Sequence, residues 1–254
     1  MNIRLMLLSV VILAQPLLAV AEDCNCDPKE KDPSVWDKSV SLGFNLTEGN
    51  SDTSSLNANT KASRDFESNV WLLELDGNYG KSDGGVANVP KKKTKEDITA
   101  NVDYQRLLSE RFYLGFGTKY LYDDIANVDY RYTLKPAVGY YFIKSDDMKF
   151  SMDVGPAYIF EKVGGVTDDF LAPRVSDRFE WKLSETAKFF QTAEYLYDIS
   201  DSDNYKVVGE AGIEAALNSW LSLVVSAKDK YDNIPAAGKE RNDFSLISGL
   251  AVIL

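Results

Sequence analysis

From Trp36 to its end the chain alternates apolar and polar residues in short runs, and each run closes on a turn signal. Leu42, Phe44 and Leu46 alternate with Ser41, Gly43, Asn45 and Thr47. After the turn-like stretch Thr47–Asp52 the rhythm resumes, with Leu56, Ala58 and Thr60 opposite Ser55, Asn57 and Asn59. Further on, Ile98, Ala100, Val102 and Tyr104 oppose Asp97, Thr99, Asn101 and Asp103 without a break. A helix would scatter these residues around its surface, whereas a strand sorts them onto two faces. The same reading predicts about twelve strands. The run from Lys188 to Asp198 is ambiguous, because Phe189 and Phe190 would occupy both faces. Pro136, Pro156 and Pro173 fall inside runs and predict bulges or missing ladder bonds.

The connections alternate as well. Short ones are predicted near Asp65–Ser68, Leu108–Arg111, Ile143–Asp147, Ser184–Ala187 and Leu217–Ser219. Longer or more polar ones are predicted near Glu48–Thr53, Lys81–Thr94, Asp123–Val128, Lys162–Asp168, Ile199–Asp203 and Asp232–Asn242. Every odd-numbered connection is of the second kind, as expected of a barrel whose N-terminus is periplasmic and whose long loops face outward.

Two architectures produce such strands. A soluble barrel or sandwich hides the apolar face, and a transmembrane barrel turns it to lipid and encloses the polar one. Three features favour lipid. Aromatic residues gather near the ends of the runs (Trp36, Trp71, Tyr79, Tyr104, Tyr120, Tyr122, Tyr130, Trp181, Tyr205, Tyr231), where interfacial girdles would sit. The polar face is rich in Ser, Gly, Asn and Thr, which fit inside a closed barrel. The strand number is even and the loops alternate. The expected fold is therefore all-β, a single antiparallel transmembrane barrel of about 12 strands with short periplasmic turns and longer outer loops.

The N-terminus changes the picture in one respect. Residues 1–21 carry one cation, Arg4, then an apolar run that closes on Ala19-Val20-Ala21, the pattern of a cleaved signal peptide. Residues 22–34 read as a flexible periplasmic leader, and 35–254 as the barrel domain. Cys24 and Cys26, the only cysteines, lie in that leader. A strained small-ring disulfide, a bridge between chains and a share in a thiolate metal site are each open to them, and a leader without structural duty is the simplest reading. Glu22 and Asp23 separate Cys24 from the cleavage point, which argues against lipidation.

The chain has 28 basic and 39 acidic residues, a net charge of −11. That balance excludes nucleic acid as a partner and gives no attraction to anionic lipid surfaces. There is no histidine, which removes Ser-His-Asp, Cys-His and His-ligated metal chemistry. The pairs Asp123-Asp124, Asp146-Asp147 and Asp168-Asp169 fall in predicted connections, where adjacent carboxylates are ordinarily solvated. Ser200–Asn204 resembles part of a calcium loop but lacks the glycine and distal Glu of an EF-hand. Lys91-Lys92-Lys93 could meet lipopolysaccharide phosphates, although a solvated loop is the plainer reading. No enzyme, cofactor or metal site is expected.

What remains is the inward face. Its candidate lumen-lining charges are Glu74, Asp76, Asp103, Arg131, Lys135, Arg174, Arg178, Glu180, Glu194 and Glu210. Acids come mainly from early and late strands, and bases from the middle ones. This could set a transverse field across a narrow pore, or form internal salt bridges that plug the barrel. Twelve strands lie between filled small barrels and open porins, so size does not decide between them.

Trp36–Thr60, above all Gly49–Ser55, together with Pro136–Tyr141 and Asp153–Pro156, resembles the family of salt-induced outer-membrane proteins, grouped as domain of unknown function 481. The resemblance covers the barrel domain. It implies an outer-membrane barrel, with a structural or narrow-pore role linked to salt or osmotic stress. Expected partners are outer-membrane lipid, lipopolysaccharide and the barrel-assembly machinery. Surface-loop binding of cations, lipopolysaccharide or a partner is the alternative, and a soluble periplasmic barrel the alternative location. Outer-membrane barrels usually end in an aromatic residue that aids assembly, whereas this chain ends Ile253-Leu254.

Overall fold

The computed structural model describes residues 36–47, 53–83 and 90–254. The predicted signal peptide, the leader with its two cysteines, residues 48–52 of the predicted Glu48–Thr53 connection and 84–89 of the predicted Lys81–Thr94 connection lie outside the described residues. Within them the chain forms twelve antiparallel strands that close into one barrel. These are β1 (Asp37–Thr47), β2 (Thr53–Phe66), β3 (Asn69–Ser82), β4 (Lys92–Leu107), β5 (Phe112–Asp123) and β6 (Val128–Lys144). They continue with β7 (Met148–Val163), β8 (Val166–Lys182), β9 (Ala187–Tyr197), β10 (Tyr205–Ala216), β11 (Leu221–Asp232) and β12 (Asn242–Ile253). Each strand pairs with its neighbours in sequence, and β1 meets β12 to close the ring. Every strand is at least 11 residues long, enough for a tilted strand to cross the hydrocarbon of a bilayer.

The polar face points inward. The outer wall is apolar, with Leu42 59%, Phe44 69% and Leu246 72% exposed, and Leu75, Ile98, Phe116, Val154, Leu171 and Ile213 exposed around the circumference. In water so much uncovered apolar surface would be unstable, whereas in lipid it is the matching surface. Two aromatic bands bound it. Near the short-turn end Trp71 packs on Tyr104. A chain of ring contacts there joins Tyr140, Phe142, Phe150, Phe179 and Phe189 across β6 to β9. Near the loop end Tyr130, Tyr132 and Tyr120 form one cluster, and Tyr195, Tyr205 and Tyr231 another.

The two ends differ in their links. At one end the turns are short, such as Glu67-Ser68 between β2 and β3 and Leu108–Arg111 between β4 and β5. Longer links, such as 198–204 and 233–241, lie at the other. One connection there departs from expectation. Between β7 and β8 the sequence pattern predicts a loop over Lys162–Asp168, yet the strands run on to Val163 and resume at Val166. Gly164 and Gly165 alone make the turn, with φ of +60° and +81°. Two successive left-handed residues match the twist of a tight hairpin, and glycine takes them without steric cost. Asp168 and Asp169 therefore belong to β8 rather than to a connection. Asp123 likewise ends β5, buried, with its Oδ1 accepting the Ala126 N–H at 2.8 Å.

The internal prolines act as their chemistry requires. Pro156 faces Pro173 across β7 and β8. The β6–β7 register skips Lys135 to Ala137 around Pro136 and resumes unshifted at Val138, which is a lost ladder segment without a bulge. The closing seam is the least extensive junction. Its register runs from Ser39–Ile253 to Leu42–Leu250, while β1 continues beside β2 to Thr47.

Candidate functional site

The barrel encloses a cavity of about 900 Å³ whose lining reaches from Arg64 and Glu67 at the turn end to Ala126 and Arg241 at the loop end. All ten candidate charges lie on its wall. They do so because alternation in β3, β4, β6, β8, β9 and β10 turns every second residue inward.

Most of the charges are paired rather than segregated into fields. Arg174 on β8 is saturated. Its guanidinium donates to Asp153 Oδ1 at 2.5 Å, Glu194 Oε2 at 2.6 Å and Ser176 Oγ at 2.7 Å. Lys135 pairs with Asp103 at 3.2 Å and donates to Asn101 Oδ1 at 2.9 Å. Glu74 faces Lys61 at 3.5 Å, and Glu210 faces Lys228 at 3.5 Å. Asp76 accepts from Asn59 at 2.6 Å, and Asn57 and Asn78 extend that row to Asp97 on β4. The small polar residues of β2 are thus one side of a hydrogen-bonded inner wall.

Several contacts cross the lumen. Arg131 on β6 pairs with its neighbour Glu161 and with Asp232 on β11, nearly opposite in the ring, at 3.2 Å. Lys206 on β10 meets Asp232 at 3.0 Å and Glu161 at 3.9 Å, closing a four-membered ring of alternating charge. Below it Lys230 on β11 reaches Asp97 on β4 at 3.7 Å. Lys119 on β5 reaches Glu194 on β9 at 3.6 Å. Closer to the turn end the Lys61 ammonium on β2 sits 5.3 Å from the Phe190 ring centre on β9. This contact also settles the ambiguous strand, since Phe190 lines the cavity while Phe189 packs on Phe179 outside.

An apolar patch backs the upper ring. Ala157, Ile159, Phe170, Ala172 and Leu196 form a buried cluster on the wall of β7, β8 and β9. Ala236, in the 233–241 link, is buried and would meet a Cβ on Gly164 at 3.4 Å, so the link leans over the mouth toward the β7–β8 turn. Beside apolar surface, charge pairs interact more strongly than they would in open water.

Alternation alone does not single out Asp153, Glu161, Lys206 and Asp232 as the partners that complete these pairs, because partnership depends on register and closure. Arg178 and Glu180 stand apart, since neither has an ion pair within 4 Å or a side-chain hydrogen bond among the described residues, whereas Asp76, also without an ion pair, is held by Asn59. Lys93, in the Lys91–Lys93 cluster read as a solvated loop, is held by Glu96 and by Asp124 at 3.0 Å. Among the described residues no group of three or more Asp, Glu or Cys side chains is placed to hold a metal ion.

A solved porin structure shares this fold. A NanC porin aligns over 86% of this chain and 99% of its own, at 10% identity and a TM-score of 0.54. An outer-membrane channel from Pseudomonas putida F1 aligns over 86% of this chain and 95% of its own, at 9% identity and a TM-score of 0.49. No curated protein matches the sequence. The family described as "Protein of unknown function, DUF481" matches residues 40–253, nearly the whole barrel, and the chain belongs to that family.

Proposed function

We propose that the protein is an outer-membrane barrel with no enzymatic role, whose ion-paired lumen is a narrow path for small polar solutes. The observation that carries this reading is the pairing of an apolar, aromatic-bounded exterior with a charged cavity whose lining reaches both rims. In this reading the short turns face the periplasm and the long links face outward, and the cross-lumen pairs brace the wall while narrowing the path. The porin-like fold of the NanC structure supports the barrel class. The family resemblance adds a tie to salt or osmotic stress, which growth of a deletion strain in high salt tests.

Conductance of the purified protein in a planar bilayer tests the path directly. The expected result is small, discrete current steps, well below those of wide porins. A protein that inserts and yet passes no current, and that admits no small sugar into liposomes, refutes permeation. Recovery wholly in the soluble periplasmic fraction refutes the location.

A further inference from the structure

The turn-side half of the lumen holds a feature that the bracing pairs do not use. Arg178 on β8 projects into the cavity, half-buried, with no carboxylate within 4 Å among the described residues. Arg131 and Arg174 in the lumen wall are held by acids, and Arg64 at the turn-end rim lies over the Phe66 ring. Three carboxylates line the same cavity as Arg178, those of Glu74, Glu180 and Asp103. Glu74 and Asp103 already face Lys61 and Lys135, whereas Glu180 has no ion pair among the described residues. Arg178 and Glu180 lie two residues apart on the inward face of β8, so a cation and an anion line the cavity side by side without an ion pair within 4 Å among the described residues. Tyr141 and Phe190 line the same region, and the Tyr141 hydroxyl is fixed by Gln105 at 3.0 Å.

A guanidinium presents five donors in a planar fork that matches a carboxylate. Left unpaired in a partly desolvated cavity, it forgoes charge-assisted bonds that an entering anion would supply. A plain anion would satisfy Arg178 but meet repulsion from the three acids. A plain cation would meet the reverse. A solute carrying both charges a few ångströms apart satisfies both sides. We propose that this half of the lumen binds zwitterionic solutes of amino-acid size, with the carboxylate on Arg178 and the ammonium toward Glu180 and Glu74. The proposal builds on the reading of the lumen as a solute path and names its solute class.

The test uses the full mature chain in detergent, titrated by calorimetry with L-glutamine, L-glutamate, L-lysine and glucose. These probes are similar in size and differ in charge. Wild-type protein is expected to bind glutamine more tightly than the other three. Arg178→Gln is expected to weaken glutamine about tenfold and to tighten lysine, because the acids are left unopposed. Glu180→Gln shifts preference the other way, toward glutamate. Retained heat-modifiable migration reports that each variant is folded. Absence of binding by all four probes overturns the proposal, as does glutamate binding as tightly as glutamine, or Arg178→Gln weakening all probes alike. Bilayer currents separate this result from the parent reading. Current without glutamine binding refutes only the site, and glutamine binding without current refutes only the path.

Discussion

Arg174 shows how much of the lumen wall depends on single side chains. It neutralises Asp153 and Glu194 together, and Glu194 also takes Lys119 from across the cavity. Removing the guanidinium leaves the half-buried Asp153 without an ion pair and Glu194 with Lys119 alone. Arg174→Ala is expected to lower stability by about 3–5 kcal/mol, measured as the urea midpoint of refolding into vesicles. Changing Asp153 and Glu194 to their amides in the same background should recover much of that loss, since the penalty is the stranded charge. Tyr113 illustrates a different dependence. Its ring lies over Gly139, its cross-strand partner, where a Cβ would fall 2.1 Å from Cζ, and its hydroxyl reaches Asp153 at 3.3 Å. Gly139→Ala must displace that buried ring, and is expected to cost about 1–3 kcal/mol in the same assay.

At the scale of the element, the β7–β8 hairpin turns on two residues that both need positive φ. Gly165→Val is expected to cost about 1–2 kcal/mol, because a β-branched side chain is placed in the left-handed region with no packing in return. The 198–204 link is organised differently. Burial opposes the charge on Asp198, but the N–H and hydroxyl of Ser200 and the Asn204 amide hold its carboxyl below the usual range. A depressed carboxyl stabilises the link above the ordinary carboxylate pKa, and that contribution is lost as pH falls through the lowered value. Asp198→Asn is therefore expected to loosen the link at neutral pH, seen as faster proteolysis there, and to remove the acid dependence.

The elements also show what a sequence can carry. From Asp97 to Tyr104 in β4 the two faces differ in chemistry at every step, so alternation alone fixes which residues point inward. Parity likewise identifies the ten lumen charges. From Pro156 to Phe160 both faces are apolar, so alternation has no contrast, and the inward Ala157 and Ile159 go unnoticed. The pairing of Arg131 with Asp232 is hidden for another reason. The two lie 101 residues apart in the chain, and only strand order and closure bring them face to face.

For the whole molecule, acids and bases lining the lumen nearly balance while the chain carries −11 overall, so the surplus acidity resides mainly outside the lumen. Such a barrel should hold its shape in SDS until heated, because internal pairs and continuous ladders must break together. Purified membranes are expected to give a faster-migrating band unboiled than boiled. High salt should have little effect on that shift, since pairs of limited exposure are screened far less than surface ones.

The seam gives the ring a preferred place to part. Every other junction is a long zipper, but β1 and β12 share register only over Ser39–Leu42. A closed ring distributes strain evenly unless one joint is weaker, and then events that begin with separation begin there. Hydrogen exchange in lipid should therefore release the amides of β12 and the end of β1 well before those of β6 to β8. A cysteine pair at Val40 and Val252, partners in that register, made in a background with Cys24 and Cys26 as serine, should raise the temperature of the gel shift when oxidised. The same joint would be the last stitched as the chain inserts, so the barrel's birth and its unravelling would share one door.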